Sequence, residues 1–230
     1  MLSCSVIIPT LNEELYLERT VRRVRALDPE AEIIVSDGGS VDRTVSIARR
    51  LGVVCLSGRP GRGAQCHAGA MRAKGEILLF LHADTLLPDG AFAVLEKQFM
   101  EPDTQLATFR LRFDVDHWLL RAYAWFSRFD SVFTTFGDQG IAVRQDFYYS
   151  LGGFPDYPLF EDVALLQAAR HRTTIVSLPA AVTTSARRFV RDGILQTQLR
   201  NAGLMLRYLC GVSPHDLAAA YSPEPEPVSE

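Results

Sequence analysis

Three clusters of polar residues in this chain stand where apolar runs stop, as they would if parallel strands delivered them to one sheet edge. Ser5-Val6-Ile7-Ile8 runs into Pro9-Thr10-Leu11-Asn12-Glu13, Ile33-Ile34-Val35 into Ser36-Asp37-Gly38-Gly39, and Ile77 to Leu81 into His82-Ala83-Asp84-Thr85. Asp84 is the clearest candidate for holding a cation, because Mg²⁺ or Mn²⁺ bridging two phosphates takes few carboxylates and leaves its other positions to substrate oxygens. Further along, Asp138-Gln139 lies between Gly137 and Gly140, Glu161-Asp162 follows Gly152-Gly153-Phe154-Pro155, and Arg187-Arg188 occupies a late loop after a strand. Guanidinium groups meet diphosphate oxygens bidentately, so the arginine pair suits neutralisation of phosphate charge. Each cluster also has a bland reading. Asp37 can close an Asx turn, Asp84-Thr85 can be turn chemistry, and Glu161-Asp162 can favour a helix start through the dipole. Gly61 and Gly63 around Arg62 can make a tight turn, and two arginines can be a solvated surface.

The elements that would position these groups follow from periodicity. Leu17, Val21, Val24 and Leu27 recur at helical spacing between the first two runs, which predicts a βαβ crossover with a ligand edge at its strand ends. Val41, Val45, Ala48 and Leu51 predict a second helix ended by Gly52 in the left-handed conformation, and Val53–Leu56 a third strand. A basic loop, Gly58 to Gly63, then feeds a helix around Ala64 to Lys74. This alternation predicts a Rossmann-like α/β domain with a mixed, mostly parallel sheet flanked by helices. From Pro88 the spacing predicts a helix near 89–100, a strand at Ala107–Phe113 and an aromatic stretch from Trp118 to Phe136 with larger loops. A strand at Ile141–Arg144, helices at Gln145–Leu151 and Asp162–His171, a strand at Thr174–Leu178 and a closing helix from Gly193 to Leu209 complete it. Trp118, Tyr123, Trp125, Phe126, Phe129, Phe133 and Phe136 are read as core packing in preference to a membrane-facing surface. The Pro- and Glu-rich segment 222–230 is expected to be disordered.

The ordered series SVIIPTLNEE, VSDGGSVDRT, GRGAQCHAGA, LHADT, GDQGIAVR, LGGFP and FED resembles the family 2 glycosyltransferases of the GT-A type over most of the chain. His82 to Thr85, Gly137 to Gly140 and Ser185 to Phe189 further resemble a small bacterial subfamily labelled arsenosugar-biosynthesis glycosyltransferases. The resemblance implies a single GT-A domain over 1–221, with a nucleotide-binding half at about 1–87 and an acceptor half at about 88–221. It implies an inverting transfer of sugar from a nucleoside diphosphate-sugar, UDP favoured, to an acceptor hydroxyl of unknown identity, assisted by Mg²⁺ or Mn²⁺. Pro9, Thr10, Asn12, Glu13, Asp37, Gly39, Arg62, Gln65, His82, Ala83 and Asp84 would then line the nucleotide-sugar, with Asp37 accepting from the base. Asp84 would hold the metal, Asp138 and Gln139 would face acceptor and sugar, and Arg187 and Arg188 the diphosphate. Asp162 would be the catalytic base with Glu161 beside it. The first acid of the family's Asp-x-Asp motif is replaced here by His82, which puts metal affinity in question.

Bulk properties narrow the classes. At 230 residues and 47% hydrophobic, the chain suits one sizeable core. With 24 basic and 27 acidic residues it lacks the cationic field that nucleic acid demands. Cys4, Cys55, Cys66 and Cys210 are too scattered for a zinc site and read as reduced core thiols. No apolar run is long enough to span a bilayer and the start lacks a leader's pattern, so a cytoplasmic protein, at most peripheral to a membrane, is expected. A sugar nucleotidyltransferase would need a Gly-rich loop where Pro9-Thr10-Leu11-Asn12 stands, and a dehydrogenase would need Gly-x-Gly-x-x-Gly there. A non-catalytic nucleotide-sugar-binding protein is the rival from another class, motivated by His82.

Overall fold

Strands covered on both faces carry continuous apolar runs, and the runs at the start of this chain form such strands. The computed structural model describes residues 2–220. In it β1 (Cys4–Thr10), β2 (Glu32–Asp37), β3 (Val54–Ser57) and β4 (Ile77–Phe80) lie parallel in the order β3-β2-β1-β4. The crossovers are α1 (Leu17–Leu27), α2 (Thr44–Arg50) and α3 (Arg62–Arg72). Val6, Ile8 and Leu79 pack on Leu17, Val21 and Val24 of α1, while Ile7, Leu78 and Phe80 share the other face with Cys66 and Ala70 of α3. The small residues of α3 allow a close approach: a Cβ on Gly69 would stand 2.4 Å from Cγ2 of Ile7. Register pairs Thr10 with Asp37, and Asp37 with Ser57, so the polar strand ends align along one edge.

The sheet continues through β7 (Ile141–Arg144), β6 (Leu106–Phe113), β8 (Ile175–Thr184) and β5 (Thr85–Leu86), giving the order β3-β2-β1-β4-β7-β6-β8-β5 with β5 and β7 reversed. Around it lie α4 (Ala91–Phe99), α5 (Trp118–Phe126), a 3-10 turn (Gly137–Gln139), α6 (Gln145–Ser150), α7 (Glu161–Arg170), α8 (Arg187–Asp192), α9 (Ile194–Leu209) and α10 (Pro214–Ala220). Among the described residues no helix is long and apolar enough to cross a membrane.

Several expectations are corrected. Strand β8 runs on to Thr184, past Pro179, which a regular ladder would exclude; a register shift between Thr108 and Arg110 on β6 absorbs the proline. Arg187 and Arg188 begin a short helix, α8, where a loop is expected, and α10 has no counterpart in the periodicity. Val41 is exposed, because α2 starts only at Thr44, where Asp42 accepts the Thr44 N–H at 2.9 Å. Of the four free thiols only Cys66 is buried, and Cys210 is exposed. The core reading of the aromatic stretch holds for Tyr123, which packs on Phe113 and Phe189, but Trp118, Trp125, Phe126, Phe129 and Phe133 are exposed. Segment 222–230 lies outside the described residues.

Candidate functional site

The loops after β1 and β2 are stitched to each other. Oδ1 of Asp37 accepts from Thr10 Oγ1 at 3.1 Å and Ser40 Oγ at 2.5 Å, and Oδ2 from the N–H groups of Gly39 and Ser40 at 2.9 and 2.8 Å. This is an Asx turn closed over a buried carboxylate. Asn12, at φ 57°, takes the left-handed conformation an asparagine tolerates. Its Oδ1 accepts from Val41 N–H at 2.9 Å, and its own N–H donates to Ser40 Oγ at 2.8 Å. Gln65 on α3 donates from Nε2 to the carbonyls of Thr10 and Ser36 at 2.6 and 2.8 Å, tying the two strand ends together.

Beyond β4 the chain brings cations and acids together. Arg187 donates to Glu13 Oε1 at 2.5 Å, stands 3.5 Å from Asp84 Oδ2 and lies 4.5 Å over the Tyr16 ring. Burial raises the carboxyls of Glu13 and Asp84 above the usual range, against the pull of Arg187. Oε2 of Glu13 is buried without a hydrogen-bond partner. The Ala83 carbonyl, held by Thr20 Oγ1 at 2.6 Å, fixes the turn carrying Asp84. His82 is held well below its usual range by burial and then by Arg62, Arg188 and Arg187, so its ring is neutral near pH 7. Arg188 is exposed. Tyr16, whose ring seats Arg187, is not singled out by any motif; its position three residues after Glu13 is the only sequence signal it leaves.

Among the described residues no three His, Cys, Asp or Glu side chains form a metal cage. Asp84 and the unpartnered oxygen of Glu13, both neighbours of Arg187, nevertheless suit a hard cation that keeps water and takes substrate phosphates.

The third group gathers at the start of α7. Phe160 precedes it at φ 63°, a strained conformation for an aromatic residue. Glu161 and Asp162 are buried. Arg62 Nε donates to Glu161 Oε1, across 99 residues of chain. Asp162 Oδ2 accepts from the Gly137 N–H at 2.6 Å, and Oδ1 from the Val163 N–H at 2.8 Å. A Cβ on Gly137 would lie 3.0 Å from that Oδ2, and one on Gly63 only 2.4 Å from the Pro155 carbonyl. Gly63 therefore serves close packing of α3 on the approach to α7. Asp138 Oδ1, Gln139 Oε1 and Glu161 Oε2 are buried acceptors without partners. The Asp138 carboxyl is pushed up to about 7 by burial and then by Asp162; burial also raises Glu161, with Arg62 opposing.

A narrow cavity of about 10 Å³, room for one water, is lined by Pro9, Arg62, His82, Gly137, Glu161 and Asp162 among others, so it joins the β1 edge to the acids. A larger hollow of about 320 Å³ lies away from them, among Gln167, Tyr208 to Leu209 and Gly211 to Pro214. Its lining has no carboxylate, imidazole or guanidinium, whereas the smaller one has all three. Asp37 and Gly39 sit at the β2 end of the same edge, outside the cavity lining.

A parallel sheet edge bearing these acids, with antiparallel strands added beyond β4, is the GT-A arrangement of a sugar-transferring fold. Residues 5–152 match the model of glycosyl transferase family 2, and the chain belongs to that family. The match ends before Glu161-Asp162. TarS 1–349 of S. aureus superposes with a TM-score of 0.64 at 19% identity, over 80% of this chain and 60% of that one. The mannosyltransferase PcManGT of Pyrobaculum calidifontis, solved with GDP-Man and Mn²⁺, gives 0.65 at 21% identity, over 79% of this chain and 56% of that one. The 4,4'-diaponeurosporenoate glycosyltransferase of Staphylococcus haemolyticus is 36% identical over 93 residues, 37% of this chain and 25% of that protein. The curated relatives are matched over a quarter to a third of their length.

Proposed function

We propose that the chain transfers a sugar, with inversion, from a nucleoside diphosphate-sugar to an acceptor hydroxyl. The observation that carries this reading is one cavity lined both by Pro9 and His82, at the ends of β1 and β4, and by the buried pair Glu161-Asp162. Structural neighbours solved with UDP-GlcNAc, with GDP-Man and Mn²⁺, and with UDP-glucose and Mn²⁺ support a nucleotide-sugar donor, of which a UDP-sugar is favoured.

Pro9 to Glu13, Asp37, Gly39, Gln65 and Ala83 shape the nucleotide side. Asp84, with Glu13 beside it, would hold Mg²⁺ or Mn²⁺, which when bound neutralises diphosphate charge. Arg187 and Arg188 add guanidinium donors to the departing diphosphate. Neutral His82 offers a hydrogen bond there and no charge. Asp162, oriented by the N–H groups of Gly137 and Val163, takes the acceptor hydroxyl's proton as its oxygen bonds to the anomeric carbon and the bond to the diphosphate breaks on the opposite side. Such a base contributes about 10²- to 10⁴-fold. Asp138, Gln139 and Glu161 present lone pairs to hydroxyls of sugar and acceptor.

Calorimetric titration of nucleoside diphosphates with and without Mn²⁺ tests the donor assignment. Tightest binding to UDP, strengthened by Mn²⁺ in the wild type and not in Asp84→Asn, is expected. Affinity for no nucleotide under either condition would sink the reading. Donor hydrolysis in Mn²⁺ without acceptor separates a catalyst from a binding protein.

A further inference from the structure

Tyr16 caps the N-terminus of α1, and its N–H donates to the Glu13 carbonyl at 3.1 Å. One turn further along the same helix face stands Thr20, whose hydroxyl holds the Ala83 carbonyl at 2.6 Å. Leu17 between them is buried in the core. Helix α1 therefore fixes the Tyr16 ring with respect to the turn that carries Asp84. Arg187 reaches the same corner from late in the chain on an equally fixed backbone. Ala186 is buried with its N–H on Asp114 Oδ1 at 2.7 Å, and the Arg187 N–H donates to Ser185 Oγ at 3.3 Å.

The neighbours of the Arg187 head engage it in two ways. Nη2 stands 2.5 Å from Glu13 Oε1 and 3.5 Å from Asp84 Oδ2, whereas the central carbon lies over the Tyr16 ring, 4.5 Å from its centre. The side chains of Arg187 and Glu13 are only 18 and 14% exposed, so little water screens them. A hard cation entering this corner competes for the carboxylates, and a diphosphate competes for the guanidinium N–H groups. The ring competes for neither. It attracts the charge through its face and presents no carboxylate-like lone pair, so it consumes no donor that a phosphate needs. Of these three contacts, the ring's is the one that persists while the ion pairs are exchanged for ligand.

We propose that Tyr16 is a positioning residue: its ring seats the Arg187 guanidinium at the β4 end while a diphosphate takes the N–H donors, and so sets affinity for the nucleotide's terminal phosphate. The inference rests on the nucleoside diphosphate donor proposed above and names a residue that tunes its binding.

Calorimetric titration with UDP and with UMP, in constant Mn²⁺, isolates the terminal phosphate. The wild type is expected to bind UDP more tightly than UMP. Tyr16→Leu should weaken UDP binding about tenfold and UMP binding less than about twofold, while Tyr16→Phe, which keeps the ring, stays near wild type. In an Arg187→Gln background, Tyr16→Leu should change UDP affinity less than about twofold, because the seat then holds no guanidinium. Thermal melting near the wild-type temperature assigns the losses to the site, and Tyr16→Met replaces the leucine variant if that does not fold. Equal loss of UDP and UMP in folded Tyr16→Leu overturns the proposal. So does a loss undiminished in the Arg187→Gln background, a Tyr16→Phe as weak as Tyr16→Leu, or equal wild-type affinity for the two nucleotides. A wild type that binds UDP, with Tyr16→Leu unchanged, sinks the seat and leaves the donor reading intact; a wild type that binds neither nucleotide sinks that reading and the seat with it.

Discussion

On the donor side both oxygens of Asp37 meet donors from within the chain, whereas on the acid side Glu161, Asp138 and Gln139 each bury an oxygen that no described residue meets. The Asp37 turn is finished without a ligand, although Glu13, on the same side, keeps one buried oxygen unmet. The acid side carries acceptors that cost about 1–3 kcal/mol each while unmet, a cost that the hydroxyls of the proposed sugar would offset. Hydrogen bonds are spent within the Asp37 turn, and three of the unspent acceptors gather around the start of α7.

The comparison breaks most clearly at Asp162. Asp162→Asn keeps an acceptor for the Gly137 N–H and loses proton acceptance. Transfer should fall at least about 10²-fold with donor affinity unchanged; near-normal turnover of the folded variant would reduce Asp162 to a cap. The Arg62–Glu161 pair is next. Glu161 is 1% exposed and Arg62 38%, so Arg62→Met strands a carboxylate whereas Glu161→Gln leaves an arginine that can reach water. The first should cost about 2–3 kcal/mol in denaturant unfolding, discounted from the fully buried case, and the second less. Equal costs would contradict this asymmetry.

Asp37→Ala sharpens the donor side. Removing an acceptor of four hydrogen bonds should cost about 1–3 kcal/mol of stability and also weaken nucleotide binding. If calorimetry shows unchanged affinity in a destabilised variant, the Asx turn is its whole role. The smallest effect is in pH. With its folded value near 7, Asp138 binds its proton more tightly in the native state than unfolded. It adds stability at low pH that is lost as pH rises from about 4 to about 7. His82, held below its usual range, works the opposite way, losing stability as pH falls below about 6.5. Melting curves of wild type and Asp138→Asn across this window isolate the aspartate: their difference should shrink with falling pH, and parallel curves would refute it.

Much of this was legible in the sequence because buried parallel strands cannot alternate in polarity. The runs ending at Thr10, Asp37 and Leu81 announce both the strands and the edge. Gly52 announces a left-handed turn by residue type alone. Long-range facts left no local trace. Nothing near Arg62 signals Glu161, and the unpartnered oxygens of Asp138 and Gln139 follow from how α7 meets the 3-10 turn. Strand β8 outruns the expected Thr174–Leu178 because a bulge that tolerates Pro179 depends on the neighbouring strand. The rings of Trp125 and Phe129 look the same in sequence whether they face core or solvent.

The contact between Glu13 and Arg187 closes a loop of 174 residues. Loop-closure entropy makes such a contact slow to form relative to the local β1-α1-β2 unit. During synthesis the N-terminal loops can be complete while the guanidinium that belongs beside Asp84 has yet to be translated. Folding thus supplies its own order of assembly, in which the stitched loops after β1 and β2 can form before Arg187 arrives to meet Glu13 and Asp84.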